Sequence, residues 1–187
     1  GVTADDAGDS TAGLQTCIDD AFDNALAVFL PCGTGAYMIS DTLRAYVWAN
    51  WAGNTYENYD KRTHQIWGSQ LSACKPTIKL ASGALSAFDS AGTPRPMLAF
   101  RGFQALNSSA VANAIPSNPL AFPANFKEDG MNHSFGAGLH HVDFNTNAHA
   151  GAIGVVMPVA QGSMMNDVAV TATSSFAGFY TFPTQSA

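Results

Sequence analysis

Asp143 and Asp167 lie in two similar apolar strings, Leu139 to Phe144 and Met164 to Val170, about one coil apart. Glycoside hydrolysis uses two carboxyl groups facing each other across a sugar, one protonated and one ionised, so a pair of stacked aspartates is a candidate acid pair. The same positions suit solvated turn residues. Glu is scarce, with Glu57 and Glu128 both in polar stretches. His140 and His141 are adjacent and would point to opposite faces of a strand, so they cannot both line one cleft. His133 and His149 stand alone and read equally well as surface polar residues.

A second chemistry is binding. Tyr46, Trp48, Trp51, Tyr56 and Tyr59 fall between two strand signals with Asn50, Asn54 and Asn58 among them. Aromatic rings stack on sugar rings while amides bond hydroxyls, so this segment is the expected polysaccharide-binding surface. A loop packed on the protein wall by its own aromatics would have the same composition. Trp67 reads as a core residue. The sequence has no Gly-rich phosphate loop, no Gly-x-Ser-x-Gly elbow and no Cys/His spacing typical of zinc, so neither cofactor nor metal is expected.

These residues need elements to hold them. Leu14, Cys17, Ile18, Ala21, Phe22 and Ala25 recur at helical intervals, which predicts one amphipathic helix over 9–24 with Asp9 or Ser10 as its cap. Beyond it the chain alternates short strand-forming strings with Gly, Ser, Asn and Pro: Ala27 to Pro31, Ala36 to Ser40, Gln65 to Gly68, Thr77 to Leu80, Met97 to Phe100, Leu139 to Phe144, Ala152 to Met157, Met164 to Val170, and Ala177 to Phe182. Val142 and Phe144 recur as Val168 and Val170, a period in the range of solenoid coils, although an antiparallel sandwich also has short strands and Gly-rich turns. Between them, 103–136 reads as a long loop insertion, with Asn107 and Asn132 as Asn-x-Ser glycosylation acceptors if the chain is secreted.

Composition narrows the class. Only 12% of the 187 residues are charged, about half the usual fraction, and the net charge is −6. No basic stripe is available for phosphates, so nucleic acid is not an expected partner, and a neutral polymer suits the chain better than a polyanion. No apolar run reaches membrane-spanning length. Cys17, Cys32 and Cys74 fit either one disulfide with a thiol left over or three free thiols.

The run Asp9-Ser-Thr-Ala-Gly-Leu-Gln-Thr-Cys-Ile-Asp19, followed by Val28 to Leu43, resembles the opening helix and strand pair of the pectate-lyase-like superfamily. Ile66 to Gly68, Pro76 to Leu80, Gly138 to Phe144 and Gln161 to Val170 look like successive coils of its fungal exo-β-1,3-glucanase branch. The turn His149 to Gly154 departs from that branch, with Ala148 and Ala150 where it has Asn and Pro. The resemblance implies an all-β, right-handed parallel β-helix with a short N-terminal capping helix, a single domain over 1–187 that is a segment of a longer chain. It further implies a secreted glycoside hydrolase acting on a neutral β-glucan-like polysaccharide, with its catalytic acid in later sequence. The competing expectation is a non-catalytic extracellular module that self-associates through its solenoid ends into a filament or adhesive fibre.

Overall fold

The computed structural model describes residues 2–49, 63–70, 74–83, 85–105, 118–121, 126–128, 135–159 and 161–181. The helical periodicity becomes α1, Thr11–Asp23, which buries Leu14 and Ile18. The Asp9 carboxylate accepts from the Thr11 amide at 2.9 Å, while Ser10 occupies the cap position without a side-chain bond to the helix amides. At the far end, Leu26 N–H reaches Ala21 O and Ala25 N–H reaches Phe22 O, with Ala25 in the left-handed region at φ 54°. These crossed bonds satisfy the last carbonyls and turn the chain out of the helix.

The strings that follow become thirteen strands among the described residues: β1 Val28–Leu30, β2 Tyr37–Ile39, β3 Leu43–Ala49, β4 Gln65–Gly68, β5 Thr77–Leu80, β6 Arg95–Ala105, β7 Phe126–Glu128, β8 Gly138–His140, β9 Asp143–Asn145, β10 Ala152–Val156, β11 Met164–Asn166, β12 Ala169–Thr171 and β13 Ala177–Tyr180. They form three sheets, ordered β1-β4-β8-β11, β2-β5-β9-β12 and β3-β6-β10-β13. Within each sheet these neighbours are parallel, and only β7 runs antiparallel, along the far half of β6. The chain thus visits the first, second and third sheets in turn, four times over. The result is mostly β and solenoid-like, and each visit is one coil. The expected recurrence of Phe144 as Val170 is the stacking register of the second sheet, where these two residues pair.

Residue alternation sets which side chains meet inside. Val28, Ile66, Leu139 and Met165 form one inward column across the first sheet. Tyr37, Ile78, Phe144 and Val170 form another across the second, and Leu43, Leu98, Val155 and Phe179 a third. The members of these columns in the first three coils are buried and merge with Leu14 and Ile18 into one core. Leu139 to Phe144 and Met164 to Val170 are not continuous strands, however. Each breaks into two around a residue with positive φ, His141 (58°) or Asp167 (51°), which marks the corner between the first and second sheets.

The first coil is covered. The Gln15 carboxamide takes the place of a missing strand on β3, with Nε2 donating to Arg44 O at 2.9 Å and Oε1 accepting from Arg44 N–H at 2.8 Å. On β2, Ser10 N–H donates to Met38 O and Ser40 N–H donates to Thr11 Oγ1. A strand edge supplied with partners in this way is no longer a template for other chains.

The first residues of the segment expected as an insertion, 103–105, belong to a strand. β6 continues to Ala105, and Phe103 is wholly buried in a second apolar cluster on the outer face of the third sheet, with Tyr46, Ala99, Ile153 and Val156. Arg101, also fully buried, donates to Pro119 O at 2.5 Å and Ala121 O at 2.9 Å and lies over the Phe103 ring. It fastens 118–121 to the wall.

Candidate functional site

The corner between the first and second sheets carries chemistry in every coil. In the first two coils it holds a disulfide between Cys32 and Cys74, with Cα atoms 6.2 Å apart, leaving Cys17 as an exposed thiol. Lys75 follows Cys74 directly, and its Nζ sits 2.7 Å from Asp143 Oδ1 in the third coil and 2.8 Å from Asp167 Oδ1 in the fourth. His141 Nδ1 also pairs with Asp167 Oδ2. Asp143 Oδ1 additionally accepts from the Ala169 amide at 3.1 Å. The fit at this corner is tight: a β-carbon on Gly68 would meet His141 O at 1.8 Å and Pro76 Cγ at 2.7 Å.

The two aspartates proposed as an acid pair are therefore brought together, with a lysine between them. Desolvation works against the Lys75 charge, but hydrogen bonds to Asp143 and Asp167 outweigh it and hold its pKa above the ordinary lysine value. The Lys75 hydrogen bond holds Asp167 below the ordinary carboxylate range, with His141 adding to the effect. A carboxyl held ionised can accept hydrogen bonds or orient a hydroxyl, but it cannot serve as the protonated acid of glycoside hydrolysis.

One residue before this corner, on the outer face of the first sheet, is an aromatic column. Phe29 pairs in register with Trp67, Trp67 with His140, and His140 with Asn166. Phe29 is 60% exposed and Trp67 37%. The indole stacks on the His140 ring with centroids 3.9 Å apart and planes 17° from parallel, and its Nε1 donates to Gln65 Oε1 at 3.3 Å. Gln65 is fixed in turn by its Nε2, which donates to the Gly136 carbonyl. The indole is thus held at both its face and its edge. Trp67, read from sequence as core, points outward because Ile66 takes the inward position of β4.

His140 itself is 7% exposed, and burial lowers its pKa below the ordinary histidine value of 6.5. The folded protein favours the neutral ring, so this contribution to stability is complete above 6.5. It is lost as pH falls from there through the lower folded value, because the unfolded chain takes up a proton first. Stability measured by urea unfolding is expected to fall between pH 7 and pH 5, and to fall less steeply in His140→Phe. An equal slope in the two proteins would remove His140 as a source of the dependence.

The other candidates are placed differently. Tyr46 is buried on β3, its ring packed edge-on against Phe103 at 5.2 Å and its hydroxyl donating to Pro119 O at 3.2 Å. Trp48 stacks on Phe103 at 4.7 Å in the same outer cluster. These two rings pack the wall of the third sheet, while Trp51, Tyr56, Tyr59, Asn107, Asn132, Glu57 and His133 lie outside the described residues. His149 is buried, with Nε2 donating to Ala81 O at 2.9 Å and Nδ1 at 2.6 Å from Asp89 Oδ1, and so ties two turns together. His140 and His141 do not alternate along one strand, because the chain turns at His141.

Sequence reasoning missed Phe29 and Lys75. Phe29 sits between two aliphatic residues in a three-residue strand, and alternation alone places it opposite Val28 and Leu30. What joins it to Trp67 is the register between coils. No helix of the described residues is long and apolar enough to cross a membrane, and no group of three potential metal ligands occurs among them. Comparison with family models, curated proteins and solved structures finds no match.

Proposed function

We propose that this chain is the polysaccharide-binding face of an extracellular, right-handed parallel β-helix of the pectate-lyase-like type, part of a glycoside hydrolase acting on a neutral β-glucan-like polymer. The observation that carries the reading is the outward column of Phe29 and Trp67, with Trp67 held parallel to His140 and edged by the Gln65 amide. Exposed rings of this kind offer apolar faces to sugar C–H groups, and neighbouring amides bond hydroxyls. Asp143 and Asp167 beside the column disfavour a polyuronate, in line with the net charge of −6. The Cys32–Cys74 bond supports an oxidising compartment. With its carboxyl held ionised by Lys75, Asp167 is not assigned as the acid of the reaction.

Laminarin binding followed by calorimetry tests the reading. Trp67→Ala is expected to weaken binding about tenfold, the scale of one lost stacking contact. No binding by the unaltered protein, or equal binding by the variant, would overturn the proposal.

A second reading rests on the last described coil. Met164 (57%), Phe176 (43%) and Phe179 (49%) are exposed, and Asp167 is the one charged residue in 161–181. β11, β12 and β13 are the end strands of their sheets among the described residues. A low-charge edge of this kind pairs readily, which favours self-association. Head-to-tail stacking also needs a receptive first coil, and there Gln15, Ser10 and Thr11 already occupy positions along β3 and β2. A mass that rises with concentration in sedimentation equilibrium would support assembly; a constant monomer mass would dismiss it.

A further inference from the structure

We propose that the Cys32–Cys74 disulfide and the Lys75 ion pairs form one coupled seam along the corner, so that reducing the disulfide releases the clamp on the fourth coil. The covalent half joins the chain just after β1 to the chain just before β5. The ionic half begins at the very next residue, where Lys75 bridges Asp143 of the third coil and Asp167 of the fourth. His141 adds a further link from the third coil to Asp167. Every coil is thus tied to the next at the same corner, by a bond in one case and by charge in the others.

Lys75 can bridge two carboxylates only while its backbone is held in place. Pro76 O accepts the Asp143 amide at 2.9 Å on one side, and Cys74 is bonded to Cys32 on the other. A flexible lysine gains little from exposed partners, because ordering its long side chain offsets the attraction. Fixing the residue before it removes part of that cost. The fourth coil depends on such a tie more than the others do, since its strands pair on one side only among the described residues and its apolar residues are largely exposed.

The chemical step is a thiol–disulfide exchange. A dithiol reductant gives two electrons and two protons to the bond, yielding the Cys32 and Cys74 thiols and a disulfide on the reductant. The test uses the full chain carrying Cys17→Ser, so that no third thiol can exchange. Two readouts follow the folded protein: the titration of the Asp167 carboxyl by NMR, and exchange of the Met164 amide, which donates to Ala137 O. Reduction with dithiothreitol is expected to move the Asp167 midpoint up toward the ordinary aspartate value and to speed Met164 exchange about two- to fivefold, the scale of a partly exposed ion pair. Lys75→Met with the disulfide intact is expected to produce both changes, and reduction should then add nothing to the Asp167 midpoint.

An unchanged Asp167 midpoint in the reduced, folded protein would overturn the coupling. If the reduced chain does not fold, the oxidised Lys75→Met variant still decides, because an Asp167 midpoint equal to that of the parent would overturn it as well. These measurements involve no sugar, so their failure is separate from any failure to bind laminarin.

Discussion

Replacing Cys32 and Cys74 together by serine is expected to lower the stability of the protein by about 4 kcal/mol, the loop-closure contribution for a bridge spanning 42 residues. The effect arises in the unfolded chain, which gains conformations that the cross-link forbids. For a domain of this size, that loss corresponds to a fall of about 8–16 °C in Tm. Urea unfolding of the two proteins at matched pH measures it. A difference below about 1 kcal/mol would mean that the unfolded chain remains compact at this corner or that the bridge carries a compensating cost. The Cys17 thiol lies on the outer side of α1 and is left in place in both proteins.

The second large effect is expected from Phe144→Ala, with a loss of about 3–5 kcal/mol. Phe144 is 1% exposed and sits in the inward column between Ile78 and Val170. Truncation leaves a cavity that neighbouring side chains cannot readily close, because β5, β9 and β12 are held apart at the strand spacing by their backbone ladder. Phe29→Ala is the matched control. It removes the same ring from an exposed position and is expected to change stability by less than about 1 kcal/mol. Equal losses for the two variants in denaturant unfolding would show that the inward column does not carry the core.

The two variants also mark the division between what could be read in the sequence and what could not. Local chemistry was legible. The 3.6-residue spacing of Leu14, Ile18 and Phe22 places α1 within two residues of its observed ends, and Gln65–Gly68 and Thr77–Leu80 coincide with β4 and β5. The recurrence of Val142 and Phe144 at Val168 and Val170 is visible because little chain separates the third coil from the fourth. The first two coils are spaced by unequal lengths of chain, and no period survives there.

Registers between distant coils decide the site, and alternation cannot supply them. Phe29 and Trp67 share a column only because Val28 pairs with Ile66, and Lys75 meets Asp143 only because Thr77 pairs with it. Asp143 and Asp167 were identified because they lie in similar strings about one coil apart, and the structure brings both to one lysine. Lys75, which joins them, was not legible from the repeat. Tyr46 shows the converse. Its neighbours in sequence resemble a binding loop, but its partner across the sheet is Arg101, and both belong to the packed wall.

The carboxamide of Gln15 has a consequence for how such an array can lengthen. By ending the ladder at β3 with a side chain, it closes the leading edge of the third sheet without a strand. Repeats grafted ahead of β1 would first have to displace the helix and its glutamine. A designer lengthening the array from that side has to re-engineer Gln15 before adding a single new coil.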